Sequence, residues 1–158
     1  GAFSIQFDAQ GFPQFNGAYT EIISQGGGLY IGYDPSHNFR LSDSYLSTGV
    51  AFPTDNLTHN YLLTSGVGGV SFYIDYSLVF SGPSALNPGN VGTRFGRQYG
   101  PHAEYFPGNI DNMSIYEGAF TADEVRAPGS SVPDAGGTLS LLVIAGAAMA
   151  AAFRRQRA

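Results

Sequence analysis

Cleaving a glycosidic bond takes two carboxylates flanking it, about 5–5.5 Å apart in enzymes that retain configuration. This chain of 158 residues has four glutamates, Glu21, Glu104, Glu117 and Glu124, scattered along its length. Asp75 and Asp111 stand singly in strand-like sequence. No Gly-x-Ser-x-Gly, no glycine loop followed by lysine and no His-Glu-x-x-His occurs, so nucleophilic, phosphate and zinc-hydrolase chemistry lack their usual residues. With no cysteine, disulfides, thiol catalysis and Cys-ligated metal centres are excluded. His37, His59 and His102 lie far apart without local partners and read as surface or strand histidines. The expectation is a chain that is not an enzyme.

Recognition chemistry is better represented. Residues 94–105, RFGRQYGPHAEY, gather Arg94, Arg97, Tyr99, His102 and Tyr105 into one loop, and these are the candidate ligand-binding residues. Loops on a rigid sheet scaffold commonly carry recognition. Tyr30, Tyr33 and Phe106 also sit beside loops, where rings either stack on sugars or fill a core. In the strand-like run 110–116, simple alternation puts Asp111 on the face of Met113 and Ile115. An acid on an apolar face has to be hydrogen-bonded or metal-bound.

The elements that must position these residues are strands. No helical periodicity persists for ten residues before position 120; short alternating runs recur instead between Gly, Pro, Asn and Ser clusters. Phe3, Ile5 and Phe7 share one face of a first strand. Further strands are expected at 19–23, 29–33, 38–41, 46–52, 60–64, 70–74, 78–80 and 110–116. Residues 65–69 form a hairpin turn, and 81–108 a long loop. Thr121 with Glu124 three residues on is a capping box, predicting a short helical turn. Nine short strands at this spacing indicate an all-β antiparallel sandwich or jelly roll.

Charge is unevenly spread. Residues 1–127 hold eleven Asp/Glu and four Arg, a net of −7, whereas 128–158 hold one Asp and three Arg, a net of +2. The acidic body, which contains no lysine, offers nothing to nucleic acid. The tail has nineteen consecutive uncharged residues, 135–153, before Arg154, Arg155 and Arg157. As a helix that stretch reaches about 28 Å, close to the roughly 30 Å of a bilayer's hydrocarbon core. The arginines mark the cytoplasmic side, so the body faces outward. Residues 127–131 read as a linker.

Two resemblances follow. Residues 132–138, with Val132, Pro133, Asp134 and Gly136, then an apolar helix over 139–153 and the basic end 154–158, resemble PEP-CTERM bacterial sorting signals in their Val-Pro-Asp variant. That resemblance implies export, transient membrane insertion and removal of the tail by an exosortase-type enzyme. It places the protein in the cell envelope or matrix of a Gram-negative bacterium.

The body resembles the laminin-G-like, concanavalin A-like jelly roll of bacterial surface proteins. The likeness is carried by Thr58-His59-Asn60-Tyr61, Phe72-Tyr73-Ile74-Asp75, Gly108-Asn109-Ile110-Asp111-Asn112-Met113-Ser114-Ile115-Tyr116, and Phe120-Thr121-Ala122-Asp123-Glu124-Val125. Tyr76 stands where that family has a turn glycine. The resemblance implies a domain over 1–126 whose first strand or strands lie upstream of Gly1, and the sorting signal implies a signal peptide there as well. Some members bind Ca²⁺ through Asp side chains, which makes Asp111 the candidate ligand here. Glucanase relatives carry Glu-x-Asp-x-x-Glu on one strand, and no Glu-x-Asp occurs in this chain. The expected function is a non-catalytic extracellular module binding polysaccharide or a surface protein. The alternatives are a structural matrix protein without a ligand and a glycosidase of unusual layout.

Overall fold

A computed structural model describes residues 1–11, 18–26, 28–42, 46–87, 92–102 and 104–126. The chain divides into two units, Gly1–Val125 and Arg126–Ala158. Of the second unit only Arg126 is among the described residues; the sorting motif, the apolar segment 139–153 and the basic end lie outside them. Among the described residues no helix is long and apolar enough to cross a membrane.

The strands are β1 (Phe3–Gly11), β2 (Thr20–Gln25), β3 (Tyr30–Tyr33), β4 (Asn38–Arg40), β5 (Ser47–Ala51), β6 (His59–Gly66), β7 (Gly69–Ile74), β8 (Ser77–Gly82), β9 (Thr93–Phe95) and β10 (Gly108–Glu117). They form two five-stranded antiparallel sheets, β10-β1-β6-β7-β8 and β5-β4-β3-β2-β9. The all-β sandwich expected from the sequence is the observed architecture. Its core comes from alternate residues of both sheets: Ile5, Phe7 and Ala9 of β1, Tyr61 and Leu63 of β6 and Phe72 of β7 meet Ile31, Tyr33 and Phe39 of the second sheet. Tyr61 stacks on Phe7 with ring centroids 5.2 Å apart, and Phe39 lies 4.8 Å from Phe72.

Three local features differ from simple expectation. The stretch 81–108 is not all loop, because Thr93–Phe95 pairs with Ile23–Gln25 at the edge of the second sheet. The β7–β8 turn is made by Asp75 (φ 49°) and Tyr76 (φ 65°), the left-handed pair of a type I′ turn, here without glycine. The third is a bulge. Asp8 opposes Asp111 and Gln6 opposes Ser114, so β10 carries one residue more than β1 between these pairs, and Asn112 adopts φ 50°.

After Glu117, α1 (Ala122–Arg126) starts at the expected cap: the Thr121 N–H and hydroxyl both donate to Glu124 Oε2, at 2.6 and 2.8 Å.

Candidate functional site

The bulge corrects the reading of Asp111. An extra residue inverts the alternation, so Met113 and Ile110 pack against the core while Asp111 shares the outward face with its partner Asp8. Asp111 is exposed and accepts the Asn112 N–H at 2.8 Å. Beside it runs a polar groove of about 330 Å³ lined by Asp8, Gln10, Thr58, Asn109 and Asn112. Asp8 is engaged by the amides of Asn60 (2.8 Å) and Asn112 (2.6 Å). Among the described residues no three His, Asp or Glu side chains gather into a group able to hold a metal ion.

His59 also departs from expectation. His59 does have partners, one supplied by the loop before β6 and one by the β7–β8 turn. Its Nδ1 lies 2.7 Å from Asp75 Oδ2 and its Nε2 lies 3.0 Å from Asp55 Oδ1. Asp75 also accepts the Asn60 N–H at 3.0 Å. Partial burial opposes the charged imidazole, but the two carboxylates outweigh it and raise the His59 pKa above the usual histidine range. The Asp55 carboxyl is lowered by the Leu57 N–H and His59; that of Asp75 is lowered despite desolvation, by His59 and the Asn60 N–H. This is a structural clasp between two turns.

The candidate binding residues fold into a hairpin continuing from β9. The Gly96 N–H donates to the Ile22 carbonyl (2.7 Å), Gln98 N–H to Glu104 (3.1 Å) and Phe106 N–H to Gly96 (2.9 Å). Arg97 therefore pairs with Tyr105, and Tyr105 in turn bridges to Glu21 of β2. The Ser24 hydroxyl donates to the Arg97 carbonyl at 2.8 Å, fixing the hairpin's root. Four of the five candidates form two stacks: the Arg94 guanidinium lies 4.8 Å over the Tyr99 ring and that of Arg97 lies 5.6 Å over Tyr105. Tyr105 is 57% exposed, and His102 is exposed near the hairpin tip. Tyr33 and Phe106 belong instead to the core, and Tyr30 is buried.

Sequence reading missed the cluster next to this hairpin. Register aligns Glu21 with Gly32 and Gly32 with Arg40, on the side of the second sheet facing away from Phe39 and Tyr33. Glu21 and Arg40 form an ion pair that is almost wholly buried. Arg40 also lies 4.6 Å from the ring of Tyr19 and 5.4 Å from that of Tyr30. Glu104 arrives from the hairpin, 3.9 Å from Arg40. A Cβ at position 32 would strike the Thr20 carbonyl, so glycine lets the strands that bring the pair together approach closely. Glutamates 83 positions apart in the chain thus share one arginine. No local motif could have announced this; the only signal was an arginine, Arg40, within a strand-like run.

Comparison with known proteins places the domain. The family model described as the concanavalin A-like lectin/glucanases superfamily, Laminin_G_3, matches residues 7–126. No curated protein matches the chain. Among solved structures, domain 4 of AbnA, a GH43 extracellular arabinanase from Geobacillus stearothermophilus in complex with arabinotriose, superposes with a TM-score of 0.60 at 21% identity, over 78% of this chain and 64% of that one. A Trypanosoma rangeli sialidase mutant displaying trans-sialidase activity superposes at 0.60 and 15% identity, over 80% of this chain and 22% of that one. The expectation that the chain is not an enzyme is overturned by these neighbours, since both belong to carbohydrate-active enzymes. At such identity they establish the fold and assign no catalytic role to any residue. On the match across most of its length, the chain belongs to the concanavalin A-like lectin/glucanase superfamily, through a laminin-G-like domain.

Proposed function

We propose that this domain binds extracellular polysaccharide through the rim of its Gly96–Phe106 hairpin. The observation that carries this reading is the pair of Arg-on-Tyr stacks, Arg94–Tyr99 and Arg97–Tyr105, on a hairpin rooted to β2 and presenting Tyr105 to solvent. A ring whose other face is held by a guanidinium is pre-oriented for a sugar, and preorganisation lowers the cost of binding. A fold neighbour solved with arabinotriose supports the ligand class. The test is a glycan array probed with the full chain and its Tyr99→Ala/Tyr105→Ala variant. Binding to a polysaccharide, weakened by at least about tenfold in the variant, a change of about 1.4 kcal/mol, is the expected outcome. Unchanged binding by the variant would remove the rim from the site.

Delivery belongs to the same proposal. Val132, Pro133, Asp134 and Gly136 serve as the recognition motif of an exosortase-type enzyme, and the apolar segment with Arg154, Arg155 and Arg157 holds the chain in the membrane until processing. In a Gram-negative host with such an enzyme, mass spectrometry of the mature protein will find the tail removed. A Pro133→Ala/Asp134→Ala variant will keep it. Equal processing of both sequences would defeat the sorting assignment.

A further inference from the structure

The bulge in β10 does more than invert alternation. With Asn112 at φ 50°, it turns Asp111 to the outward face of the first sheet, opposite Asp8. The groove of about 330 Å³ found there has walls from three segments: β1 with Asp8 and Gln10, β10 with Asn109 and Asp111, and the loop before β6 with Thr58. Hydrogen bonds set these walls in place. Both Asp8 oxygens accept amide N–H groups, one from Asn60 and one from Asn112. Gln10 accepts an N–H from the Asn109 amide (3.2 Å) and donates to the Asn56 carbonyl (2.5 Å), which ties the loop carrying Thr58 to β1. The groups left open are Asp111 Oδ2, the Asn109 amide oxygen with its second N–H, and the Thr58 hydroxyl, all on exposed residues.

These open groups narrow the ligand class. A carboxylate accepts, while an amide and a hydroxyl both donate and accept; together they complement neighbouring sugar hydroxyls, each of which does both. A calcium ion is poorly served, because it takes about six to eight oxygens. The Asp8 oxygens already hold N–H groups, so Asp111 is the one lining carboxylate free to ligate. An anion is repelled, since two carboxylates and no basic side chain line the groove. The volume lies at the low end for small-ligand pockets, about 300–1,000 Å³, which suits a short glycan segment.

We infer that this groove is a second glycan-binding site, taking a neutral, hydroxyl-rich sugar segment through Asp111, Asn109 and Thr58. It goes beyond the rim reading and shares with it only the ligand class. The rim grips with rings and arginines, and neither lines the groove. Tyr105 and Asn109 are four residues apart, a reach of at most about 14 Å, so one polysaccharide strand can engage both places. The second contact then gains from the first as an intramolecular event.

The experiment is isothermal titration of the full chain with cellotetraose and β-1,4-mannotetraose, each against its C6-carboxylated counterpart, and with neutral arabino- and xylo-tetrasaccharides. It is run on wild type, on the Tyr99→Ala/Tyr105→Ala rim variant, and on that variant with Thr58→Ala/Asn109→Ala or with Asp111→Asn added. The rim variant should still bind a neutral sugar, more weakly than wild type and at least fivefold tighter than the matched uronate. Adding Thr58→Ala/Asn109→Ala should weaken that residual binding at least tenfold with the melting temperature retained. Adding Asp111→Asn should narrow the charge preference several-fold, and it decides the matter should the other change impair folding. A rim variant that binds no sugar while wild type does would overturn the groove and leave the rim standing. Residual binding untouched by the groove substitutions, or uronates bound as tightly as neutral sugars, would also overturn the groove alone. Wild type that binds no member of the panel would overturn the groove and the polysaccharide reading together.

Discussion

Glu21 and Arg40 face each other across Gly32, on adjacent positions of three neighbouring strands, and are buried together on the outward side of their sheet. A buried ion pair is costly to break on one side only, because the remaining charge has neither water nor partner. Arg40→Met should therefore destabilise the domain by about 3–5 kcal/mol, and the Glu21→Leu/Arg40→Met double variant should recover most of that loss. Urea denaturation at neutral pH measures both. A double variant as unstable as the single one would show that packing around Arg40, including the Tyr19 and Tyr30 rings, outweighs the charge.

Tyr61 presents the reverse situation. Its ring is locked among Phe7, Phe39 and Phe72, and its hydroxyl is buried without a hydrogen-bond partner among the described residues. Burial, reinforced by the negative charge of Asp75 and Asp55, pushes the phenol far above the ordinary tyrosine range. Tyr61→Phe removes an unsatisfied polar atom and keeps the ring, so stability should rise by about 1 kcal/mol. A fall in the denaturation midpoint would mean that an unseen donor serves this oxygen.

The His59 clasp predicts a pH window. A raised histidine pKa contributes stability in full below the unfolded value, about 6.5, and loses it as pH climbs through the higher folded value. The lowered carboxyls of Asp55 and Asp75 contribute above the unfolded Asp value, about 3.9, and lose their effect as pH falls through the folded values. The clasp is thus fully formed between about pH 4.5 and 6.5. The melting-temperature difference between wild type and His59→Gln should peak there and shrink toward pH 9. A difference constant from pH 5 to 9 would refute the linkage.

Tyr76 sits at φ 65° in a turn that glycine fills without strain. The left-handed conformation costs an L-residue roughly 1–2 kcal/mol, offset in part by the unfolded-state freedom that glycine adds. Tyr76→Gly is expected to stabilise the β7–β8 hairpin by somewhat under about 1 kcal/mol. Asp75→Gly, at the other left-handed position, should do the opposite, because Asp75 also holds His59 and the Asn60 N–H. Thermal unfolding of the two variants will separate turn strain from turn chemistry.

Strands were legible wherever alternation was simple. Ile5, Phe7 and Ala9 point inward as their spacing says, and the Thr121–Glu124 cap starts its helix. Alternation misled at Asp111, since one bulged residue inverts the facing of its neighbours and leaves no compositional trace. The rim residues were identifiable by type, but their pairing into stacks depends on backbone hydrogen bonds between Gly96 and Phe106. Least legible was the ion cluster. Glu21, Arg40 and Glu104 meet only because β2, β3 and β4 lie side by side and a distant hairpin returns over them.

The first sheet is closed by its two most distant strands. β1 lies between β6 and β10, and Ser4 ties the ends, its hydroxyl donating to the Gly118 carbonyl (2.8 Å) and accepting the Phe120 N–H (2.9 Å). A growing chain therefore has to hold Phe3–Gly11 in waiting until His59–Gly66 emerges, and to leave one side of it open until Gly108–Glu117 follows. Such long-range closure is slow and exposes an unpaired apolar strand in the meantime. Completion depends on the closing residues of the domain, so a nascent chain halted before Phe120 would be a substrate for chaperones before it could be a receptor for any ligand.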